Sequence, residues 1–244
     1  MTNKQDFVLV HGAWQGAWCW EKVVPLLIAA GHEVHTLDLP GLGDDRTPIA
    51  DVSLDSYVRA VTGLVNSVGR PVVLVGHSMG GAIISQVAEA VPDKVNALIF
   101  LTAFSLRDGE TLLQYATADK ESYVSQNIQI NEEAGFVTVA ENTLRDCFYG
   151  LSADEDADRA ISRLRPQAMA PFTTAVNLSN ENYGSVRSFY IECSDDRAIS
   201  PAMQRRLRDN APIVRSSVLR ADHAPYYSCP EELTRTLISM ALPD

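Results

Sequence analysis

The sequence predicts an α/β fold, a mostly parallel sheet flanked by helices and interrupted once by a helical cap. Three observations carry that expectation. Short apolar runs alternate with longer segments of helical spacing, which implies right-handed crossovers onto one sheet. One apolar run, Pro71–Val75, meets Gly76-His77-Ser78-Met79-Gly80 and then apolar residues at helical spacing. Clear buried-strand runs stop after Ala103 and resume near Ser188. With 244 residues, a single domain 1–244 is expected, with core segments 1–103 and 185–244 and the cap over about 104–184.

The elements follow in order. Phe7–Val10 is an apolar run ended by His11-Gly12, and reads as the first strand. Trp20–Ala30 reads as a helix closed by Gly31, with Pro25 near its first turns, where a missing donor costs little. Glu33–Leu37 is the next strand, and Pro40-Gly41-Leu42-Gly43 marks a loop. Leu54, Tyr57, Val58, Val61, Leu64, Val65 and Val68 recur at helical spacing. Ala82, Ile83, Ile84, Val87 and Val91 suit a buried helix, and Val95–Leu101 a further buried strand. Within the cap, Ser152-Ala153-Asp154-Glu155 reads as a capping box that opens a helix. The acidic group Asp154, Glu155, Asp156 and Asp158 then complements the helix dipole, a better account than a metal site. Ser188–Ile191, Pro201–Arg208, Ser216–Leu219 and Pro230–Leu242 read as strand, helix, strand and helix.

Composition excludes several function classes. A net charge of −11 argues against nucleic acid or an anionic membrane surface as partner. No apolar run approaches the ~20 residues of a membrane span. Met1–Asp6 leads almost at once into the first strand, which leaves no room for a signal peptide, so a cytoplasmic location is expected. Cys19, Cys147, Cys193 and Cys229 are scattered and lack metal-ligand spacing, so free thiols are expected and zinc is not.

Strand, sharp turn and helix around Gly76–Gly80 make a nucleophile elbow that lifts Ser78 to the carboxyl edge of the sheet. Bulkier residues at Gly76 and Gly80 would clash there. A serine hydroxyl needs a base, and the base needs an acid to fix its tautomer. On such a sheet the order is serine, acid, histidine, each after a later strand. Asp196 or its neighbour Asp195 follows the Ser188–Ile191 strand, and His223 follows Ser216–Leu219. Asp222 is read as a loop residue, His32 and His35 as structural, and His77 as pointing aside. Acyl transfer also needs two oxyanion donors. The N–H of Met79, after the nucleophile, is one, and that of Ala13, after the first strand, is the other. Gly12, Trp14, Trp18, Met79, Tyr226 and Tyr227 are candidate substrate-binding residues, and Tyr115, Tyr123, Phe148, Tyr149 and Phe172 candidate cap-lining residues.

These segments together resemble the α/β-hydrolase fold, and more narrowly its hydroxynitrile lyase and plant methylesterase-like branch. The resemblance rests on His11-Gly12-Ala13-Trp14-Gln15-Gly16-Ala17-Trp18-Cys19-Trp20, Gly31-His32-Glu33-Val34 and Leu37-Asp38-Leu39. It also rests on Gly76–Gly81, Tyr183–Val186, Cys193–Ile199 and Ala221-Asp222-His223. It implies Ser78 as nucleophile, Asp196 as acid, His223 as base, and Ala13 and Met79 as oxyanion donors. Lyases of this branch carry a threonine at the position of Gly12 and a lysine at that of Ala224, so this chain has the esterase pattern. Trp14 stands where several plant members have a small residue, and would either narrow the acyl pocket or pack under the cap. The expected function is a serine esterase acting on a small, fairly apolar ester, without metal or cofactor. A cyanohydrin lyase and a hydrolase-like small-ligand receptor are the alternatives. A homodimer through an apolar cap face is compatible with the sequence.

Overall fold

A computed structural model describes residues 4–242; Met1–Asn3, part of the segment on which the signal-peptide argument rests, lie outside the described residues. The first half runs β1 (Asp6–Val10), α1 (Val23–Ala29), β2 (Glu33–Thr36), α2 (Leu54–Val68), β3 (Val72–His77), α3 (Gly80–Ala90) and β4 (Val95–Leu101). The intervening segment holds α4 (Leu112–Ala118), α5 (Tyr123–Asn127), β5 (Ile128–Asn131), β6 (Phe136–Val139), α6 (Leu144–Phe148), α7 (Asp154–Ile161), β7 (Gln167–Ala168) and α8 (Ala170–Thr173). The chain ends with β8 (Ser188–Cys193), α9 (Pro201–Arg208), β9 (Ile213–Leu219), α10 (Pro225–Ser228) and α11 (Pro230–Ala241).

Six strands form one sheet in the order β2-β1-β3-β4-β8-β9, every neighbouring pair parallel. β1, β3 and β8 are buried along their whole length, as strands covered by helices on both faces must be. Parallel strands all present their carboxyl ends at one edge, so the loops after β1, β3, β4, β8 and β9 meet there.

Three differences from the sequence reading have physical causes. The first helix begins at Val23, after a 3₁₀ turn over Ala17–Trp20. A start at Trp20 would require Pro25 to donate an N–H to the Glu21 carbonyl, and proline has none. The cap also holds a small antiparallel sheet, β5-β6-β7, turned at Gly135 (φ 69°). Its strands are short and β5 is largely exposed, so no apolar run announces them. Ser152 does not cap α7, whose N-cap is Ala153 without a side-chain bond. Instead, Ser152 N–H and Oγ–H (both 3.1 Å) and the Leu151 N–H (2.8 Å) donate to Asp222 Oδ2. Asp222, beside His223, therefore ties the cap to the last sheet-edge loop. Asp156 of the acidic group pairs with Lys22 and Arg159, and no metal-ligand cluster occurs among the described residues.

Candidate active site

Ser78 sits between the last residue of β3 and the first turn of α3 with φ 53°. That left-handed backbone is unusual for a residue with a side chain. A Cβ on Gly76 would lie 2.6 Å from the Gly80 carbonyl oxygen, and one on Gly80 2.8 Å from that of Val10. Both contacts are with backbone, which has no rotamer to yield. Gly76→Ala is expected to cost about 3 kcal/mol, read as a drop in the urea midpoint; an unchanged midpoint would show that the elbow relaxes freely.

Asp196 follows β8 and His223 follows β9, and the structure brings them together. His223 Nδ1–H donates to Asp196 Oδ2 at 2.7 Å, with both side chains buried. That bond leaves Nε2 as the ring nitrogen with an unshared lone pair. Asp196 Oδ1 accepts the backbone N–H groups of Ala198 (2.7 Å) and Ile199 (3.0 Å). Asp195 is exposed and its carboxylate is bonded by Ser194 Oγ–H. Thr102, just past β4, donates its hydroxyl to Asp196 Oδ2 at 2.5 Å, a partner absent from the sequence reading. Nothing local marks it, since its role depends on β4 lying beside β8. Among the described residues the only non-glycine residues with positive φ are Trp14, Ser78 and Thr102. All three border this site, where strained backbone tends to collect.

His77 does not simply point aside. It is buried beneath the last loop, where Nε2–H donates to the His223 carbonyl at 2.8 Å. Burial holds its pKa well below the usual histidine value, so the ring is neutral. His11 plays a parallel part under the first loop. Its Nδ1–H donates to the Gly12 carbonyl (2.8 Å) while Nε2 accepts the Leu39 N–H (3.1 Å). Because the peptide unit is planar, fixing the Gly12 carbonyl also fixes the direction of the Ala13 N–H. Among the described residues neither the Ala13 nor the Met79 N–H is taken by another protein group, and both residues line the cavity with Ser78.

Only the neutral His11 ring can make both of its bonds, and burial pushes its pKa down to about 4. The folded value lies below the unfolded one of about 6.5, so the unfolded chain takes the proton first. The stability tied to the neutral ring is full above the unfolded value and is lost as pH falls toward 4. Between pH 7 and pH 5 the loss from this group is about 2 kcal/mol, with His77 adding the same sign. The urea midpoint is expected to fall over that range; a flat profile would contradict the buried neutral rings.

Ser78 and His223 open onto a cavity whose walls are mostly apolar. Trp14 and Met79 line it, with Phe104, Phe148, Phe172 and Tyr115 of the cap side. Trp14 lines the cavity and packs under the cap. Its ring is a cavity wall beside Phe148 and Phe172, and its Nε1–H donates to the Val137 carbonyl of β6 at 3.0 Å.

The other expected substrate contacts are corrected. Trp18, Tyr226 and Tyr227 lie outside the cavity. Trp18 packs against the Arg163 guanidinium, the Tyr226 ring supports His77 from 5.2 Å, and the Tyr227 hydroxyl donates to Glu21. Their loops lie at the carboxyl edge of the sheet, and packing turns their side chains away from the cavity. Tyr123 and Tyr149 of the cap also lie outside it. Gly12 is not a wall, yet a Cβ there would come within 2.9 Å of His77 Nδ1 and 3.0 Å of Ser78 Cβ. Among the described residues no lysine or arginine lines the cavity, and Ala224, after His223, is fully buried. A cyanide-releasing lyase would lack its cation here.

The chain is similar to known proteins along nearly its whole length. The chain is 34% identical to methylesterase 1 of Arabidopsis thaliana, covering 98% of this chain and 97% of that protein. It is 35% identical to the putative chloroplastic methylesterase 11 of the same plant, covering 96% of this chain but spanning 63% of that relative's length. Among solved structures, a pyrethroid hydrolase from Sphingobium faniae JZ-2 superposes with a TM-score of 0.88 at 32% identity, covering 98% of both chains. The sequence profile described as the alpha/beta hydrolase family matches residues 7–236, nearly the whole chain, and the chain belongs to that family.

Proposed function

We propose that this protein is a serine carboxylesterase that cleaves an apolar carboxylic ester through an acyl-enzyme on Ser78. One observation carries the reading: His223, held by Asp196, faces the same apolar cavity as Ser78 beside two N–H groups free to bind an oxyanion. Ser78 Oγ attacks the ester carbonyl and His223 Nε2 takes its proton. Asp196 steadies the imidazolium, while the N–H groups of Ala13 and Met79 hold the oxyanion. His223 then returns the proton to the leaving alcohol. Water, activated by the same nitrogen, releases the acid. The methylesterase relatives support methyl esters among the substrates. The four free thiols support a cytoplasmic setting, and no described helix is long and apolar enough to cross a membrane.

The test is hydrolysis of p-nitrophenyl acetate through octanoate and of several aryl methyl esters, with mandelonitrile as the lyase control. Ester turnover above the Ser78→Ala background is expected. Cyanide release without ester turnover would replace the reading with a carbon–carbon lyase. Chain stabilisation by esters without turnover would replace it with a receptor.

A further inference from the structure

The cavity at Ser78 borders another on the cap side. A second, solvent-open groove is lined by residues of α4, α5, β5, β6 and α8. The two share Leu113, Ala116, Asp119, Ser125, Ile128 and Phe172 as common wall. Past that wall the outer space continues over Ile130, Val137 and Met169, with Thr117, Lys120 and Gln126 at its polar rim. Leu113 and Ile130 remain 37% and 54% exposed, large apolar side chains facing solvent along this groove. Asp119, the charged member of the common wall, is already engaged, its Oδ2 accepting the Ser200 N–H at 2.8 Å. The common wall is otherwise apolar or uncharged, and Ala116 on α4 is its smallest member.

Trp14 packs on Phe148 and Phe172 and is bonded to β6. A carbonyl held between Ala13 and Met79 shares its cavity with Ala116 and Ile128, uncharged residues that also line the outer groove. An apolar groove rimmed by polar groups and sharing wall residues with a reacting centre is the form of a ligand site rather than of ordinary surface.

We propose that the substrate is an ester with one extended apolar arm, which passes between α4 and β5 and lies in the outer groove. This rests on the esterase reading and deepens it from a small ester to a long one. The groove supplies no charge to pair with a terminal carboxylate except Lys120 at its rim, whose ammonium is bonded to the Thr117 carbonyl. The arm is thus uncharged alkyl or aryl. Each methylene that leaves water for such a wall adds roughly threefold to kcat/KM.

Two substrate series test this: p-nitrophenyl acetate to dodecanoate, which lengthens the acyl arm, and methyl to octyl phenylacetate, which lengthens the alcohol arm. In at least one series kcat/KM is expected to climb with length. Ala116→Trp narrows the common wall and should lower kcat/KM on the long member at least tenfold more than on the shortest. Ile130→Asp touches only the outer groove at an exposed position, and should give the same selective loss even if Ala116→Trp fails to fold. A flat length profile overturns the proposal, as does a profile that neither variant alters or that both lower equally at every length. If the wild type cleaves no ester, the groove is tested apart from the chemistry by thermal stabilisation of Ser78→Ala with methyl decanoate against methyl acetate. A rise with the long ester alone, lost in Ser78→Ala/Ile130→Asp, keeps the groove and discards the esterase reading; no rise with either discards both.

Discussion

Alanine at Ser78 is expected to lower kcat on every ester that the wild type turns over by about 10⁵-fold or more. The size follows from the site's construction. The hydroxyl is the atom that forms the covalent bond, and with it gone His223 has no proton to take. What remains is the oxyanion pocket and the apolar cavity, which alone retain only a small acceleration over water. The substitution removes one oxygen from a buried turn and leaves Cβ in place, so the strained φ of 53° is unchanged in kind. The thermal midpoint should therefore move little, which separates loss of chemistry from loss of fold. A phosphonate ester should add one adduct mass to the wild type and none to Ser78→Ala. Activity within tenfold of wild type, or an adduct on the variant, would remove Ser78 from the reaction.

The parallel sheet explains why so much of this site can be read along the chain. Once β1, β3, β8 and β9 are recognised as successive parallel strands, their carboxyl ends must share an edge. Residues just past those ends, Ala13, Ser78, Asp196 and His223, must then be neighbours. Strand and helix periods mark β4 and α9, whose bounds Val95–Leu101 and Pro201–Arg208 agree with the sequence reading residue for residue. The illegible parts depend on contacts between distant segments. Thr102 meets Asp196 only because β4 lies beside β8. Ser152 has the pattern of a cap, yet Asp222 offers a buried carboxylate that takes its hydroxyl and its N–H together. Tyr226 and Tyr227 follow the base in sequence, but α10 turns them toward His77 and Glu21, behind the cavity. The small cap sheet is paired with itself and mostly exposed on β5, so no buried face imprinted a period on it.

Asp196→Asn should leave the fold and KM nearly intact and lower kcat by about 10⁴-fold. The backbone dictates how the new amide sits. At Oδ1, Asp196 accepts the N–H groups of Ala198 and Ile199. Turning a donor toward them would strand two buried donors at about 1–3 kcal/mol each. The asparagine oxygen therefore stays on that side, and its NH₂ replaces Oδ2 opposite Thr102 and His223. A donor there requires His223 Nδ1 to become an acceptor, which moves the ring proton to Nε2. That nitrogen then has no lone pair to receive the Ser78 proton. Because Asp196 is not a wall of the cavity, substrate affinity is not the quantity that changes. Nitrogen NMR of the His223 ring should report the proton on Nδ1 in the wild type and on Nε2 in the variant. Asp195→Asn, at an exposed neighbour bonded only locally, should keep kcat within about twofold, as surface changes do. An Asp196→Asn enzyme with wild-type kcat, or a larger loss at Asp195, would give the acid's role to another group and break the link between the Asp196–His223 bond and turnover.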